Sequence, residues 1–242
     1  MKLSDYERSA HSQSGEDGIL ARVFDLIGEG ARWCVEFGAM HAFECSNTAQ
    51  FRSIGWKATL FEEDRARFEQ LARDTAGEPA TECRHVHVEP AGKNGLRDLL
   101  DGDPDLLSID VDGPDYFYVR DLEVRPRVLV VEYNTTMPPG VDIEPTEMPT
   151  RLGASPAAMA RVAKARGYDL VAVTECNLIC VHESESAAVT DEWDTLDRIF
   201  RFRRFPVLIT DFDGHPLLVS TDTLYFGFSG FVHPTTEGWT IR

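Results

Sequence analysis

The sequence predicts a doubly wound α/β domain built on a seven-stranded, mostly parallel sheet. Apolar runs of strand length alternate with helix-length segments over residues 16–183, which is the pattern of repeated β-α-β units. A chain of 242 residues with 43% hydrophobic residues is also long enough for one large domain of this class. We expect the domain to span residues 1–190, and a C-terminal extension, a lid or an oligomer contact, to follow over 191–242.

Seven apolar runs are expected to form the strands, and they lie at 33–39, 57–64, 84–90, 105–110, 127–134, 169–175 and 177–183. Helices are predicted between them at 16–30, 47–55, 64–74, 94–100, 113–122 and 155–167, with one more in the tail at 191–202. The first places Ile19, Val23 and Ile27 at helical spacing before glycines end it. The sixth has Ser155 as its cap and Pro156 at its first position.

The bulk composition excludes several classes of partner. A formal net charge of −17 repels phosphate backbones, so we expect no nucleic-acid partner. No apolar run reaches the roughly 20 residues that span a bilayer, and the polar N-terminus lacks the apolar centre of a signal peptide. These features predict a cytoplasmic protein without a membrane partner. The five cysteines form no CxxC pair, so we expect buried structural thiols instead of a zinc site.

The ends of the first two predicted strands favour an adenosine ligand. Glu36 and Gly38 close the first strand, where a glycine lets the backbone approach a ligand closely. Glu62 and Glu63 end the second, about 25 residues further on, where an acid can accept both hydrogens of a ribose diol. The absence of a GxGxxG motif argues against a pyrophosphate cradle. The ligand expected is therefore an adenosine without phosphate, and S-adenosylmethionine is the obvious candidate.

Several blocks of sequence, between about Ser12 and Val181, resemble a known family. The blocks are SQSGEDGIL, VEFGA followed by SNT, GWKATLFEED, LLSIDVDGPDY and VVEYN. They resemble class I S-adenosylmethionine-dependent methyltransferases related to the FkbM methyltransferases. The resemblance implies a seven-stranded sheet with one antiparallel strand. In one departure, Met40-His41-Ala42 stands where such proteins commonly carry Asp-Gly, which predicts a differently shaped loop.

The resemblance also implies a set of cofactor-binding residues. By this resemblance, Glu36 and Gly38 would bind the methionine part of S-adenosylmethionine, and Glu62 would bind its ribose. Val88 and Glu89 would form the corner that holds the adenine. Asn47 would cap a helix or contact the cofactor carboxylate. The segment SQSGEDGIL would fold over the cofactor with Gln13, Glu16 or Asp17 facing the site. Ser14 with Asp17, or Ser12 with Glu16, also fits a helix-capping arrangement, and the two roles are compatible.

Acidic side chains follow the fourth and fifth predicted strands. Asp110 and Asp112 follow one, and Glu132 and Asn134 follow the other. Adjacent strands lie about 4.8 Å apart, so these tips can converge, and crowded carboxylates repel one another unless protonated or neutralised by a cation. Oxygen ligands suit Mg²⁺, with Mn²⁺ or Ca²⁺ as substitutes. A more distant resemblance, to metal-dependent O-methyltransferases of the catechol type, implies Asp110, Glu132 and Asn134 as ligands, with Asp112 as the alternate.

Coordination to a dication would lower the pKa of an acceptor hydroxyl and direct it toward the methyl group. The candidate catalytic residues are Asp110, Asp112 and His41, with either of the last two as general base. His41 is more simply a loop histidine. The acids could also bind substrate without a metal. Alternatively, residues 112–115 could have only a structural role, as a turn and a helix cap, and this alternative accounts well for Asp115.

The tail offers weaker signals. The run RIFRFRRF (198–205) could recognise a substrate anion, although a solvated helix face that pairs with local acids is the favoured interpretation. We read TDFDG (210–214) as a turn, and the aromatic run LYFGFSGFV as core or a dimer interface.

The predicted function is S-adenosylmethionine-dependent methyl transfer, assisted by a divalent metal, to an oxygen of a small molecule such as a sugar or specialised metabolite. The alternatives are a metal-free N-methyltransferase and a non-catalytic adenosine-ligand binding protein of the same fold. We expect the proline-rich loop at 135–150 and the tail to recognise the acceptor.

Overall fold

Seven strands form one mixed sheet. The computed structural model describes residues 2–189 and 196–201, the short strands at Val207–Thr210 and Pro216–Val219, and residue 212. The sheet strands are β1 (Trp33–Phe37), β2 (Lys57–Glu62), β3 (Thr81–His85), β4 (Leu106–Ile109), β5 (Val128–Glu132), β6 (Tyr168–Val173) and β7 (Asn177–His182). Their order is β3-β2-β1-β4-β5-β7-β6, and β7 runs antiparallel to both neighbours. The predicted doubly wound sheet with one antiparallel strand is confirmed.

Helices cover both faces of the sheet. They are α1 (Glu16–Ile27), α2 (Ala49–Ser53), α3 (Arg65–Asp74), α4 (Leu96–Leu99), α5 (Asp115–Arg120), α6 (Pro156–Ala165) and α7 (Glu183–Ser186), with 3-10 helices at Leu3–Tyr6 and Leu196–Arg201. Successive strand residues serve opposite faces. Cys34 packs in the cluster that contains α1, whereas Val35 packs in the cluster that contains α5 and α6. Because both faces are covered, β4 is buried along its whole length, as expected of a central parallel strand.

Helix ends follow the local sequence where a cap is present. The Ser155 hydroxyl accepts a hydrogen bond from the Ala158 backbone N–H at 3.2 Å, and the Asp64 carboxylate accepts one from the Arg67 N–H at 2.9 Å. The helix predicted at 47–55 is shorter than expected, because residues 46–48 form a separate hydrogen-bonded turn before α2 begins at Ala49. None of the helices in the described ranges combines the length and apolar character needed to cross a bilayer.

The third strand lies earlier in the chain than predicted. The alternation of histidine and valine placed it at 84–90, whereas β3 is Thr81–His85. Its partner β2 ends at Glu62, opposite His85, so residues beyond His85 have no strand to pair with. Val86 and Val88 continue past the sheet edge and turn toward the cavity described below. These two valines are apolar because they line the cavity, not because the strand continues through them.

The cysteines and the tail partly follow the sequence predictions. Cys34, Cys176 and Cys180 are buried thiols, whereas Cys45 is exposed. Residues 196–201 of the predicted tail helix form a 3-10 helix. Its Arg198 is buried, pairs with Glu7 and donates to the Val173 carbonyl at 2.7 Å. The favoured interpretation is therefore wrong for Arg198, because this side chain lies in the interior and its acidic partner is 191 residues away in the chain.

The two strands at 207–210 and 216–219 form a small antiparallel hairpin, β8–β9, that the sequence did not predict. The arginines at 203 and 204, most of TDFDG and the aromatic run lie outside the described residues.

Candidate functional site

A cavity of about 340 Å³ lies at the carboxyl ends of the central strands. Glu36 of β1, Glu62 of β2, Asp110 after β4 and Glu132 of β5 all border it. The chain builds the sheet outward from β1 to β3 on one side and from β4 to β5 on the other. The cavity therefore lies where the strand order reverses, which is the usual ligand position in an open α/β sheet.

The Glu36 carboxylate borders the cavity and fixes the loop that follows. One of its oxygens accepts the Asn47 backbone N–H at 2.9 Å. The other accepts the hydroxyls of Ser46 at 2.7 Å and Thr48 at 2.6 Å. The Asn47 amide donates to the Ser108 hydroxyl at 3.0 Å, and its side chain lies outside the cavity wall.

Gly38 brings two strand ends into close backbone contact. Its φ of +78° lies in the left-handed region, and a Cβ built on it would stand 1.6 Å from the Asp110 carbonyl oxygen. Only a residue without a side chain fits both conditions. The sequence therefore needs glycine here to let the ends of β1 and β4 approach each other so closely.

The loop from residue 40 to 45 supplies Met40, His41 and Cys45 to the cavity wall. Sequence reasoning missed Arg52, the residue that holds this loop. Its side chain is buried, donates to the Ala42 carbonyl, pairs with Glu78 at 2.5 Å and lies over the Phe43 ring at 5.6 Å. An arginine within the α2 sequence gave no signal of this role, because its partners belong to other segments.

Replacing Arg52 with glutamine is expected to lower the free energy of unfolding by about 2–4 kcal/mol, because Glu78 and the Ala42 carbonyl lose their donor. Urea denaturation measures this change. Arg65→Gln is the matched control, since Arg65 makes an exposed pair with Glu69 and should cost at most about 0.5 kcal/mol. Equal effects for the two variants would contradict a specific role for Arg52.

Glu62 stands at the predicted ribose position. Its side chain is buried in the cavity wall, and one oxygen accepts the Asp64 N–H at 2.7 Å. Val88 also lines the cavity, and its carbonyl accepts the Tyr118 hydroxyl at 2.6 Å. Glu89 lies outside the wall, with its carboxylate 3.7 Å from the His87 ring.

Glu63, which the sequence analysis placed beside Glu62 at the end of the second strand, also lines this end, and so do Arg67 and His87, which were not predicted. Glu63 forms a hydrogen bond with the His87 ring. In the sequence, the two adjacent glutamates of FEED and the His-x-His spacing of residues 85–87 were the features that could have indicated Glu63 and His87 as site residues.

Asp110, Asp112 and Glu132 form the acidic end of the cavity. Each offers a carboxylate oxygen, and these three atoms lie within 4.8 Å of one another. Burial, and then the Asp115 and Asp112 carboxylates, raise the pKa of Asp110. Burial and the Asp110 carboxylate raise the pKa of Glu132 further, and the two side chains share a hydrogen bond. A cation among the three would relieve this repulsion, so the donor set fits a hard divalent ion.

Asp115 supports the acidic end from behind. Its two oxygens accept the backbone N–H groups of Val111 at 3.0 Å and Gly113 at 2.9 Å. Burial raises its pKa to about 6, against the opposing effect of these hydrogen bonds. It thereby closes the turn in which Asp112 adopts a φ of +56°. The turn part of the earlier interpretation fits Asp115, which holds the turn before its own helix, but the cap part is wrong because the N-cap of α5 is Pro114.

Asn134 uses its side chain within the loop that follows β5. Its side-chain oxygen accepts the backbone N–H of Thr136 at 2.9 Å and its hydroxyl at 2.6 Å, and its amide donates to the Leu152 carbonyl at 2.5 Å. It ties the ends of the proline-rich loop together and is not among the residues that line the cavity.

The structure brings most of the sequence-predicted residues to one cavity. The residues at its wall are Gln13, Glu36, Gly38, His41, Glu62, Val88, Asp110, Asp112 and Glu132. Those outside the wall are Glu16, Asn47, Glu89 and Asn134.

No family model matches the chain, and no curated protein matches its sequence. Among solved structures, it is similar to the N-terminal domain of EvdMO1 with SAH bound, at 14% identity and a TM-score of 0.48 over 72% of this chain and 84% of that one. It is similar to the CcbJ methyltransferase from Streptomyces caelestis, at 12% identity and a TM-score of 0.48 over 75% and 96%. It is also similar to the glycopeptide N-methyltransferase MtfA complexed with sinefungin, at 12% identity and a TM-score of 0.45 over 72% and 88%. These likenesses are distant, and the fold stands on the strand order of the sheet itself.

Proposed function

We propose that the protein is an S-adenosylmethionine-dependent methyltransferase that uses a divalent metal to methylate an oxygen of a small molecule, such as a sugar or specialised metabolite. The observation that carries the proposal is a single cavity with two chemically distinct ends. Glu62, which we propose binds the ribose, lines one end from β2, and three carboxylates meet at the other end beyond β4 and β5. Gly38 joins the two ends through its contact with the Asp110 backbone.

The charge of the cavity favours a cationic cofactor over a polyphosphate. The described residues that line it include seven carboxylates and one arginine, Arg67. Such a surface repels phosphate and attracts the positive sulfonium of S-adenosylmethionine. Glu62 is placed to accept the two ribose hydroxyls, and its carboxylate already has one oxygen oriented by the Asp64 N–H.

Asp110, Asp112 and Glu132 would hold the metal, which when bound lowers the pKa of a coordinated hydroxyl. The chain's own contribution is then to orient the acceptor and to exclude water. Methyl transfer from a sulfonium requires an in-line approach, so positioning supplies much of the rate. His41 also faces the cavity and can receive the proton that the acceptor loses, and Asp112 can do so only when Asp110 and Glu132 hold the metal without it.

A metal-free N-methyltransferase is the second candidate, in which the Asp110 carboxylate at the cavity wall acts as the base. A buried carboxylate with a raised pKa is a better base toward an ammonium acceptor than an ordinary aspartate. Activity that survives EDTA unchanged would remove the metal from the proposal. Activity that EDTA abolishes and Mg²⁺ restores supports the proposed O-methyltransferase.

Replacing Glu62 with alanine is expected to weaken S-adenosylmethionine binding about 10- to 100-fold, because the ribose diol loses its acceptor. Titration calorimetry measures the change. Glu62→Gln should retain the hydrogen bond from Asp64 yet still weaken binding, and Glu69→Ala on the exposed face of α3 is the matched control.

Normal cofactor binding by the Glu62 variants would refute the ribose assignment. Failure of the unaltered protein to bind cofactor at millimolar concentration would sink both methyltransferase candidates. Binding without turnover on any acceptor panel would instead indicate a non-catalytic binding protein.

A further inference from the structure

Residues 9–15, here called the N-terminal strap, lie between the first 3-10 helix and α1. They bring Gln13 to the cavity wall. The resemblance implied that Gln13, Glu16 or Asp17 would face the site. Of these three residues, Gln13 alone lines the cavity, and both acids are fully buried elsewhere. We propose that Glu16 is a positioning residue that holds Gln13 at the cavity by fastening the strap to the β6–β7 turn. Its effect on the cofactor rests on the function proposed above.

The Glu16 carboxylate joins the strap to the β6–β7 turn, where Asn177 lies opposite Glu132 of β5. One oxygen accepts the Ser14 backbone N–H at 2.7 Å. The other accepts the Thr174 hydroxyl at 2.5 Å and the Asn177 amide at 3.0 Å. All three partners are donors, so a carboxylate satisfies them and an amide could not, because its NH₂ would face a donor. The residue is buried without a cation among these partners, and its hydrogen bonds to the strap and the turn compensate for that burial.

Asp17 fastens the other side of the strap. One of its oxygens accepts the backbone N–H groups of Ala10 at 2.7 Å, His11 at 2.6 Å and Ser12 at 3.0 Å. The strap is therefore held at 10–12 by one acid and at 14 by the other. Gln13 is the residue between the two attachments, and its side chain projects to the cavity.

Two glycines fix the geometry of this attachment. A Cβ on Gly18 would stand 1.9 Å from the Tyr6 carbonyl oxygen, and one on Gly15 would stand 2.9 Å from the Glu7 side chain. The segment before the strap thus crosses the start of α1 in direct contact. Each part of the motif SQSGEDG consequently has a structural role. Its two glycines allow the close crossing, its two acids attach the strap, and its glutamine lines the cavity.

Cys176 lies where the strap meets the β6–β7 turn, so its reactivity can show whether the strap is in place. Its sulfur is 3.6 Å from the Gln13 side-chain oxygen, 3.5 Å from the Ser14 hydroxyl and 3.8 Å from Glu16. The thiol is buried while the strap is in place. If Glu16 holds the strap, removing its charge should expose this thiol to a maleimide, whereas the already exposed Cys45 should react at an unchanged rate.

The test combines thiol labelling with a double-mutant cycle. Glu16→Gln is expected to speed Cys176 labelling, read by peptide mass spectrometry, about tenfold or more. It should raise KM for S-adenosylmethionine about tenfold and leave kcat within about threefold. Because Glu16 acts through Gln13, the Glu16→Gln/Gln13→Ala double variant should match Gln13→Ala alone in KM.

Additive effects on KM, or unchanged Cys176 labelling, would overturn the inference. If Glu16→Gln does not fold, Thr174→Val removes one anchor from the turn and should show the same pattern more weakly. Labelling needs no cofactor. If the unaltered protein fails to bind S-adenosylmethionine, the proposed function falls, and the labelling rate alone then decides whether Glu16 holds the strap.

Discussion

Replacing Gly38 with alanine is expected to abolish cofactor binding and to lower the free energy of unfolding by about 3–5 kcal/mol. The new Cβ would overlap the Asp110 carbonyl oxygen, 1.6 Å away. A backbone atom cannot rotate aside as a flexible side chain can, so the ends of β1 and β4 must separate. That movement displaces the cavity wall on both sides, at Glu36 and at Asp110.

Gly55 provides a control that separates the backbone strain of a positive φ from the steric overlap of a new Cβ. It also has a positive φ, +89°, but a Cβ there would meet nothing within 4 Å. Gly55→Ala should therefore cost only the left-handed strain, about 1–2 kcal/mol, and leave cofactor binding unchanged. Chemical denaturation and titration calorimetry on both variants measure the difference. A Gly38 variant no worse than the Gly55 variant would show that the close approach is unimportant.

Replacing Asp110 with asparagine is expected to lower kcat at least about 100-fold while making the metal-free protein more stable at pH 8 by about 1–3 kcal/mol. The pKa values of Asp110 and Glu132 are raised by burial and mutual repulsion. An acid whose pKa is higher in the folded state binds more protons when folded. The free energy of unfolding therefore falls as the pH rises from about 4 through the folded pKa.

The gain from Asp110→Asn should accordingly be small at pH 4 and largest at pH 8, since asparagine never ionises. Thermal unfolding at both pH values, with EDTA, measures it. Mg²⁺ should raise the Tm of the unaltered protein at pH 8 but not that of the variant. Asp25→Asn, at an exposed site with a weak 4.0 Å pair, should change neither activity nor stability. A variant that loses stability at pH 8, or keeps full activity, would contradict the assigned role.

The sheet could be predicted from the sequence because its strands are buried on both faces. A short, nearly continuous apolar run such as β4 or β5 is a strong signal in a chain that alternates strands with helices. Edge strands carry a weaker signal. β3 is half exposed and contains charged residues, so the apolar residues beyond it were mistaken for the strand itself. The β8–β9 hairpin went unpredicted because runs of four residues are ambiguous between strand and loop.

The cavity wall was predictable to the extent that strand ends determine it. Glu36, Glu62, Asp110 and Glu132 follow directly from where each strand stops. The roles of Glu16 and Asn134 could not be predicted in this way. A carboxylate or amide binds whichever donors or acceptors the tertiary structure supplies, and for Glu16 two of the donors come from the β6–β7 turn, 158 and 161 residues further along the chain.

The contacts of Glu16 also set the order in which the cavity can be completed during synthesis. Thr174 and Asn177 lie 158 and 161 residues beyond Glu16 in the chain. The strap therefore leaves the ribosome long before its partners exist. Contacts of such large sequence separation form late, because the closure entropy of a long loop opposes them. A nascent chain that lacks β7 holds the strap only through its local bonds to Asp17 and Glu16, so the attachment of the strap to the sheet waits for translation of the last strand.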